Sequence, residues 1–250
     1  MGRLLPPLAP GYNGVIPLSL QRDGMTAKSV NAQTMNRWLP PLPDSPPKGF
    51  VPFRHFVLPG VTGTLAVHLN ANPNKPGVTT LVSGYGYICR NRADYADCPS
   101  PNLVVAFDVD CDSIISANGY VMEEVGKPPD LVLEVASPDN DRREYIRQRE
   151  MYAGFGIPEY WRFDHTGGDY HDTGLACDLL TDGDYRSMAL TTEPDGVIWG
   201  YSEVLGLSVC WVAGTLRFWD RAQQRYLRTQ QESEARVREM EEELRHRENP

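Results

Sequence analysis

The chain has 250 residues, 41% of them apolar, and a formal net charge of −9, enough to bury one substantial core in one domain or two small ones. No apolar run approaches the ~18 residues of a membrane-spanning helix, so no membrane partner is expected. The acidic balance excludes a surface coated with basic charge for nonspecific nucleic-acid binding, while leaving room for a local basic cleft. The start of the chain lacks the charged, apolar and small-residue blocks of a signal peptide, and a cytoplasmic location is the expectation. Five cysteines, Cys89, Cys98, Cys111, Cys177 and Cys210, are widely spaced without a C-x-x-C pair. That spacing suggests neither a zinc knuckle nor a disulfide framework, and unpaired thiols are expected.

Residues 1–48 hold nine of the 21 prolines, including Pro6-Pro7, Pro40-Pro41 and Pro46-Pro47. Proline fixes φ and removes donors, so this segment reads as an extended arm able to lie along a surface. Met25 and Met35 both precede the first folded segment and compete with Met1 as the start. From Phe50 to Leu69 the pattern gives short strands, or a strand followed by a helix, with Pro59-Gly60 as a turn. VTTLVSGYGYIC over 78–89 reads as one strand, bulged at Gly84 and Gly86 rather than forming a phosphate loop, because no third glycine or helix start follows.

PSPNLVVAFDVDCDS over 99–113 is a second buried strand, entered through Pro101-Asn102. Asp108, Asp110 and Asp112 alternate at its end, which places them on one face of an extended segment, as a solvated turn or as a metal cluster. GYVMEEVGK is a connection. KPPDLVLEVASP follows, and period-two alternation sets Glu134 on the face opposite Leu131, Leu133 and Val135.

Ser137-Pro138 ends that strand, and Asp139, Asn140 or Asp141 caps the helix after it. Along the helix Tyr145, Gln148, Tyr152 and Phe155 recur at three- and four-residue spacing, so Gln148 is the polar member of an inward stripe. Arg142, Arg143, Arg147 and Arg149 fall mostly on the other faces. Gly154, Gly156 and Pro158 stop the helix, and EYWRFD is an aromatic strand.

Beyond it, short strands alternate with turns, and Asp182-Gly183 and Ala213-Gly214 mark hairpins. His165 and His171, with Asp164 and Asp169, match no metal-ligand spacing. From Arg221 the chain is polar, with Glu-to-Arg pairs at i, i+4 such as Glu232 to Arg236 and one seam of Val237, Met240 and Leu244. The expected division is an arm over 1–48, a domain over 49–220 and a charged helix over 221–250, with a short coiled coil as one option.

PNLVVAFDV, KPPDLVLEVASP and REMYAGFGIPEYWRFD, in that order, resemble the Uma-type restriction endonuclease family, a branch of the PD-(D/E)XK nuclease superfamily. The resemblance implies an α/β fold: a restriction-endonuclease-like core with a central mixed β-sheet flanked by helices, plus C-terminal β-hairpins and a terminal helix. It also implies cleavage of DNA phosphodiesters with Mg²⁺ or Mn²⁺, and a homodimer. The chemistry uses two carboxylates on adjacent strands to hold the ion, and a lysine to stabilise the developing charge.

Residue by residue, the first carboxylate falls on Asn102, the second on Glu134 and the lysine on Gln148, so Glu134 alone matches. Asn102 and Glu134 are the implied metal ligands, and Gln148 completes the implied catalytic set. Ala136 does not supply the lysine of the wider superfamily. With four lysines in the chain and none after Lys127, a substitute cation is Lys127 itself, Arg147 or Arg149. Asp130 shares a face with Glu134 but lies ~13 Å along the strand, near enough to orient neighbours though not to share an ion. Asp108 is ~20 Å from Asn102 by the same rise. Tyr152 supports the site from the helix. Three functions compete: a metal-dependent DNA endonuclease, an inactive nuclease-fold module for binding or assembly, and a small-molecule enzyme on the same scaffold.

Overall fold

A computed structural model of the chain describes residues 60–71, 77–84, 86–137, 142–170 and 172–248. The expected arm over 1–48, the segment Phe50–Pro59, the helix-capping candidates Asp139 to Asp141 and His171 lie outside them.

A six-stranded sheet organises the domain. In chain order its strands are β1 (Leu81–Ser83), β3 (Leu103–Ala106), β5 (Leu131–Val135), β6 (Glu159–Phe163), β7 (Leu175–Thr181) and β8 (Asp184–Ser187). They lie side by side in that order, and only β5 and β6 are parallel. A parallel pair needs a crossover, and helix α4 (Arg142–Phe155) supplies it. Gly156, at φ 81°, takes the left-handed conformation that ends the helix.

Every residue of β5 and β6 is buried, because both faces of the sheet are covered. On one face Val104, Val132 and Tyr160 pack with Tyr152 of α4 and with Ile114 of α2 (Cys111–Ala117). On the other, Leu103, Leu131, Leu133, Val135, Trp161 and Phe163 meet Leu207, Val209, Leu216 and Phe218 of a second sheet. Helix α1 (Val61–His68) adds Val61 and Leu65 to that layer.

The second sheet is an antiparallel meander of β9 (Thr191–Thr192), β10 (Ile198–Ser202), β11 (Leu207–Val212), β12 (Thr215–Asp220) and β13 (Arg225–Tyr226). The two glycine turns named in the sequence close hairpins, with φ 53° and 87° at Asp182-Gly183 and 47° and 80° at Ala213-Gly214. Positive φ at both central positions is what the tightest hairpin turn requires.

Four local expectations need correction. The single strand over 78–89 is two: β1 belongs to the large sheet, while β2 (Ile88–Cys89) pairs in parallel with β4 (Tyr120–Val121). Gly84 marks the break, since a Cβ there would come within 2.9 Å of Thr62 Oγ1. The three acids do not share a strand face, because β3 stops at Ala106 and the chain turns with Asp108 at φ 54°. Asp110 instead caps α2, accepting from Ser113 N at 3.2 Å and Ser113 Oγ at 2.7 Å. The connection GYVMEEVGK is β4 followed by a one-turn helix, α3 (Met122–Val125). Finally, Cys89 and Cys98 form a disulfide with Cα atoms 5.1 Å apart, because the 3₁₀ turn Arg92–Asp97 folds the chain back on itself. Cys111, Cys177 and Cys210 are buried thiols.

Helix α5 (Gln230–Glu248) closes the chain. Thr229 Oγ1 accepts from Glu232 N at 3.2 Å, and Glu232 returns a carboxylate to Thr229 N at 2.8 Å, the reciprocal capping box. Glu232 also pairs with Arg217 at 3.1 Å, and Arg236 with Glu239 at 2.7 Å. Beyond this root the helix lies exposed, including Val237, Met240 and Leu244.

Candidate functional site around Glu134

Register decides what stands beside Glu134. Leu103 pairs with Leu133 across β3 and β5, so Asn102, one residue earlier in an antiparallel neighbour, falls next to Glu134. On the other side Glu134 is in register with Arg162 of β6. From above, α4 brings in Gln148 and Tyr152, one turn apart on its inward face. Tyr152 Oη donates to Glu134 Oε1 at 2.7 Å and Gln148 Nε2 donates to the same oxygen at 3.2 Å. The three positions implied by the family motifs therefore meet at one place in the fold.

The chemistry of that place differs from two carboxylates and a lysine. Glu134 is 3% exposed. Asn102 Oδ1 accepts from Val135 N at 2.8 Å, so its carbonyl serves the edge of β5. Burial, and then the charge of Glu134, hold the Tyr152 phenol well above its ordinary range, so Tyr152 is a proton donor to the carboxylate at all ordinary pH.

A second charged group lies in the same layer. Asp178 of β7 is fully buried and bonded by Arg149 and Arg162, each at 3.3 Å, and by Ser187 Oγ at 2.8 Å. Arg149 also reaches Tyr185 O, and the Arg162 guanidinium lies 4.0 Å from the centre of the Tyr145 ring. Arg162 and Asp178 were not among the sequence candidates. The available signal was a charged residue within each of the buried strands EYWRF and LACDLLT, which needs an opposite charge.

Lys127 sits elsewhere. Its Nζ bonds Asp130 Oδ2 at 2.7 Å and Phe107 O at 3.0 Å, and Asp130 Oδ2 accepts from Phe107 N at 2.8 Å. The pair clamps the exit of β3 to the entry of β5, at the end of the strand away from Glu134. Asp130 thus orients a neighbour, and Lys127 is committed to it. Arg147 is on the exposed side of α4. Asp164 organises its own loop, accepting from Thr166 N at 2.9 Å and Tyr170 N at 2.8 Å.

A hard divalent ion takes about six oxygen ligands, several of them anionic. Among the described residues no group of three His, Cys, Asp or Glu side chains stands together. Oε1 of Glu134 accepts from two donors, and the Asn102 oxygen is turned to a backbone N–H. This donor set does not fit Mg²⁺ or Mn²⁺.

The model of the Uma2 family, described as a putative restriction endonuclease, matches residues 84–245. The chain belongs to that family. The Uma2 match spans the small β2–β4 pair, the large sheet from β3 onward, the Glu134 layer, the whole second sheet and most of α5. No curated protein matches the chain. Among the described residues no helix is long and apolar enough to cross a membrane.

Proposed function

We propose that this Uma2 chain keeps the nuclease fold as a DNA-binding or assembly module and does not hydrolyse phosphodiesters. One observation carries the reading: Glu134, the single carboxylate matching the motifs, is buried and its Oε1 accepts from both Tyr152 and Gln148. A metal-activating carboxylate has to offer its oxygens to an ion and to solvent. Here the hydrogen bonds serve to fasten α4 onto β5. DNA as partner rests on the family description, and the exposed Val237, Met240 and Leu244 seam supports a homodimer through α5.

A second reading, a metal-dependent endonuclease, is favoured by the convergence of Asn102, Glu134 and Gln148. Supercoiled plasmid incubated with Mg²⁺ or Mn²⁺ separates the two. The native chain is expected to leave the plasmid intact, while Asn102→Asp combined with Gln148→Lys nicks it. Nicking by the native chain that disappears in Glu134→Ala overturns the first reading in favour of the second.

A further inference from the structure

The second sheet has an outer face that the Glu134 layer does not use. Its inner side chains, Leu207, Val209, Leu216 and Phe218, pack on the large sheet, so alternation turns Trp199, Tyr201 and Trp219 outward. Tyr226 joins them because it pairs with Trp219 across β12 and β13, and the two rings meet edge to face at 5.0 Å. Four half-buried aromatics thus share one open surface on the side of the molecule away from Glu134.

Between them the surface is cut into a slot. β11 separates β10 from β12, and its outward Ser208 and Cys210 lie opposite Tyr201 and Trp199 respectively. Aromatic side chains on strands two apart stand about 10 Å from one another at the root, over a floor of small residues. The cavity there has a volume of about 330 Å³, with Trp199, Trp219 and Tyr226 among its walls and Glu193 and Asp195 at its rim.

We propose that this slot binds an unpaired base of a single-stranded nucleic acid. A flat π system entering edge-on meets indole and phenol faces, the platform on which single strands stack. Arg221 shows that the surface accepts a planar π partner, since its guanidinium lies 4.1 Å from the Tyr201 ring centre and 5.4 Å from that of Trp199. Its Nε donates to Ser208 Oγ at 3.2 Å, which holds the guanidinium plane over the floor, where a base can stack on it. Arg221 and Arg225 are exposed and supply cations for the backbone phosphates.

The rim adds selectivity. Glu193 accepts from Trp199 Nε1 at 2.8 Å and fixes the indole, while the Asp195 carboxylate is an acceptor for an exocyclic amino group. Cytosine and adenine carry such a group; thymine does not. A duplex keeps its bases stacked and paired inside, so a single strand is the form that fits. The proposal takes its partner class from the DNA reading above, but uses none of the residues around Glu134.

Fluorescence anisotropy of end-labelled oligonucleotides with the full chain tests it. Oligo(dC) is expected to bind more tightly than oligo(dT) and than a duplex of equal length. Trp219→Ala and Arg221→Ala should each weaken oligo(dC) binding about tenfold or more, Trp219→Phe should retain most of it, and Ile115→Ala on α2 should change nothing. No binding of any single strand, or affinities unmoved by Trp219→Ala and Arg221→Ala in variants whose circular dichroism is native, overturns the proposal. So does a change of oligomer size in Trp219→Ala with oligonucleotide affinity intact, which would make the face a protein interface. Plasmid nicking reads the Glu134 site separately, so failure of one reading is distinguishable from failure of the other.

Discussion

Two buried glutamates on neighbouring strands carry different duties, and their partners say which. Glu134 faces α4 and is bonded by Tyr152 and Gln148. Glu159 faces the second sheet and accepts from Trp161 Nε1 at 2.9 Å, Ser202 Oγ at 2.6 Å and Val204 N at 3.1 Å, which ties the two sheets together. Leaving a buried charged acceptor short of a donor costs about 1–3 kcal/mol. Tyr152→Phe is therefore expected to destabilise the chain by that amount in urea denaturation. Gln148→Ala should cost less, because its bond is longer and Gln148 is only half-buried. Equal and negligible losses in both would mean that the carboxylate does not fasten the helix. Glu134 and the inward stripe of α4 were legible in the sequence, since periods of 2 and 3.6 are local properties. The pairing of Arg162 with Asp178 was not, because it depends on how β6 and β7 align.

At the level of elements, β5, α4 and β6 form one unit whose boundaries are written in Gly156 and Pro158. The hairpins were equally readable, but their sensitivity was not. Gly183 and Gly214 both have positive φ, at 87° and 80°. A Cβ at Gly183 would meet open space, while one at Gly214 would lie 2.7 Å from the backbone oxygen of His165. Gly183→Ala is expected to cost about 1 kcal/mol of backbone strain. Gly214→Ala should cost clearly more, because a backbone atom cannot yield as a flexible side chain can. Thermal melting of the two variants checks the order, and a smaller loss at Gly214 would contradict this packing of the 165 loop against the turn.

For the molecule as a whole, burial holds several weak acids in their protonated form together. The phenols of Tyr152 and Tyr160 are held well above their ordinary range, as are Tyr185 and the Cys177 thiol, while Cys210 is pushed up to about 11, in each case chiefly by burial. These groups stay protonated in the folded chain where the unfolded chain has begun to lose protons. Their contribution is complete below the unfolded values, near 9 for the thiols and 10 for the phenols, and is lost as pH rises toward the folded ones. Unfolding free energy should accordingly fall between pH 8 and pH 11, and a flat profile would contradict the burial of these side chains.

Association is read at the same scale. A chain ending at Asp220 should run as a smaller oligomer than the full chain in size-exclusion chromatography with light scattering. Unchanged association would remove α5 and its single seam from the interface.

The amino-acid sequence by itself determined the strands and helix around Glu134, their order, the two glycine hairpins and the family. Each of these is set by neighbours along the chain, through side-chain period, φ preference and the motifs that carry the resemblance. Only the tertiary structure decided that Lys127 is bound to Asp130 at the far end of β5, and that Asn102 spends its oxygen on Val135. It also decided that Cys89 meets Cys98, and that four aromatics share one face of the second sheet. Those facts follow from register and strand order, which join residues that no local pattern connects.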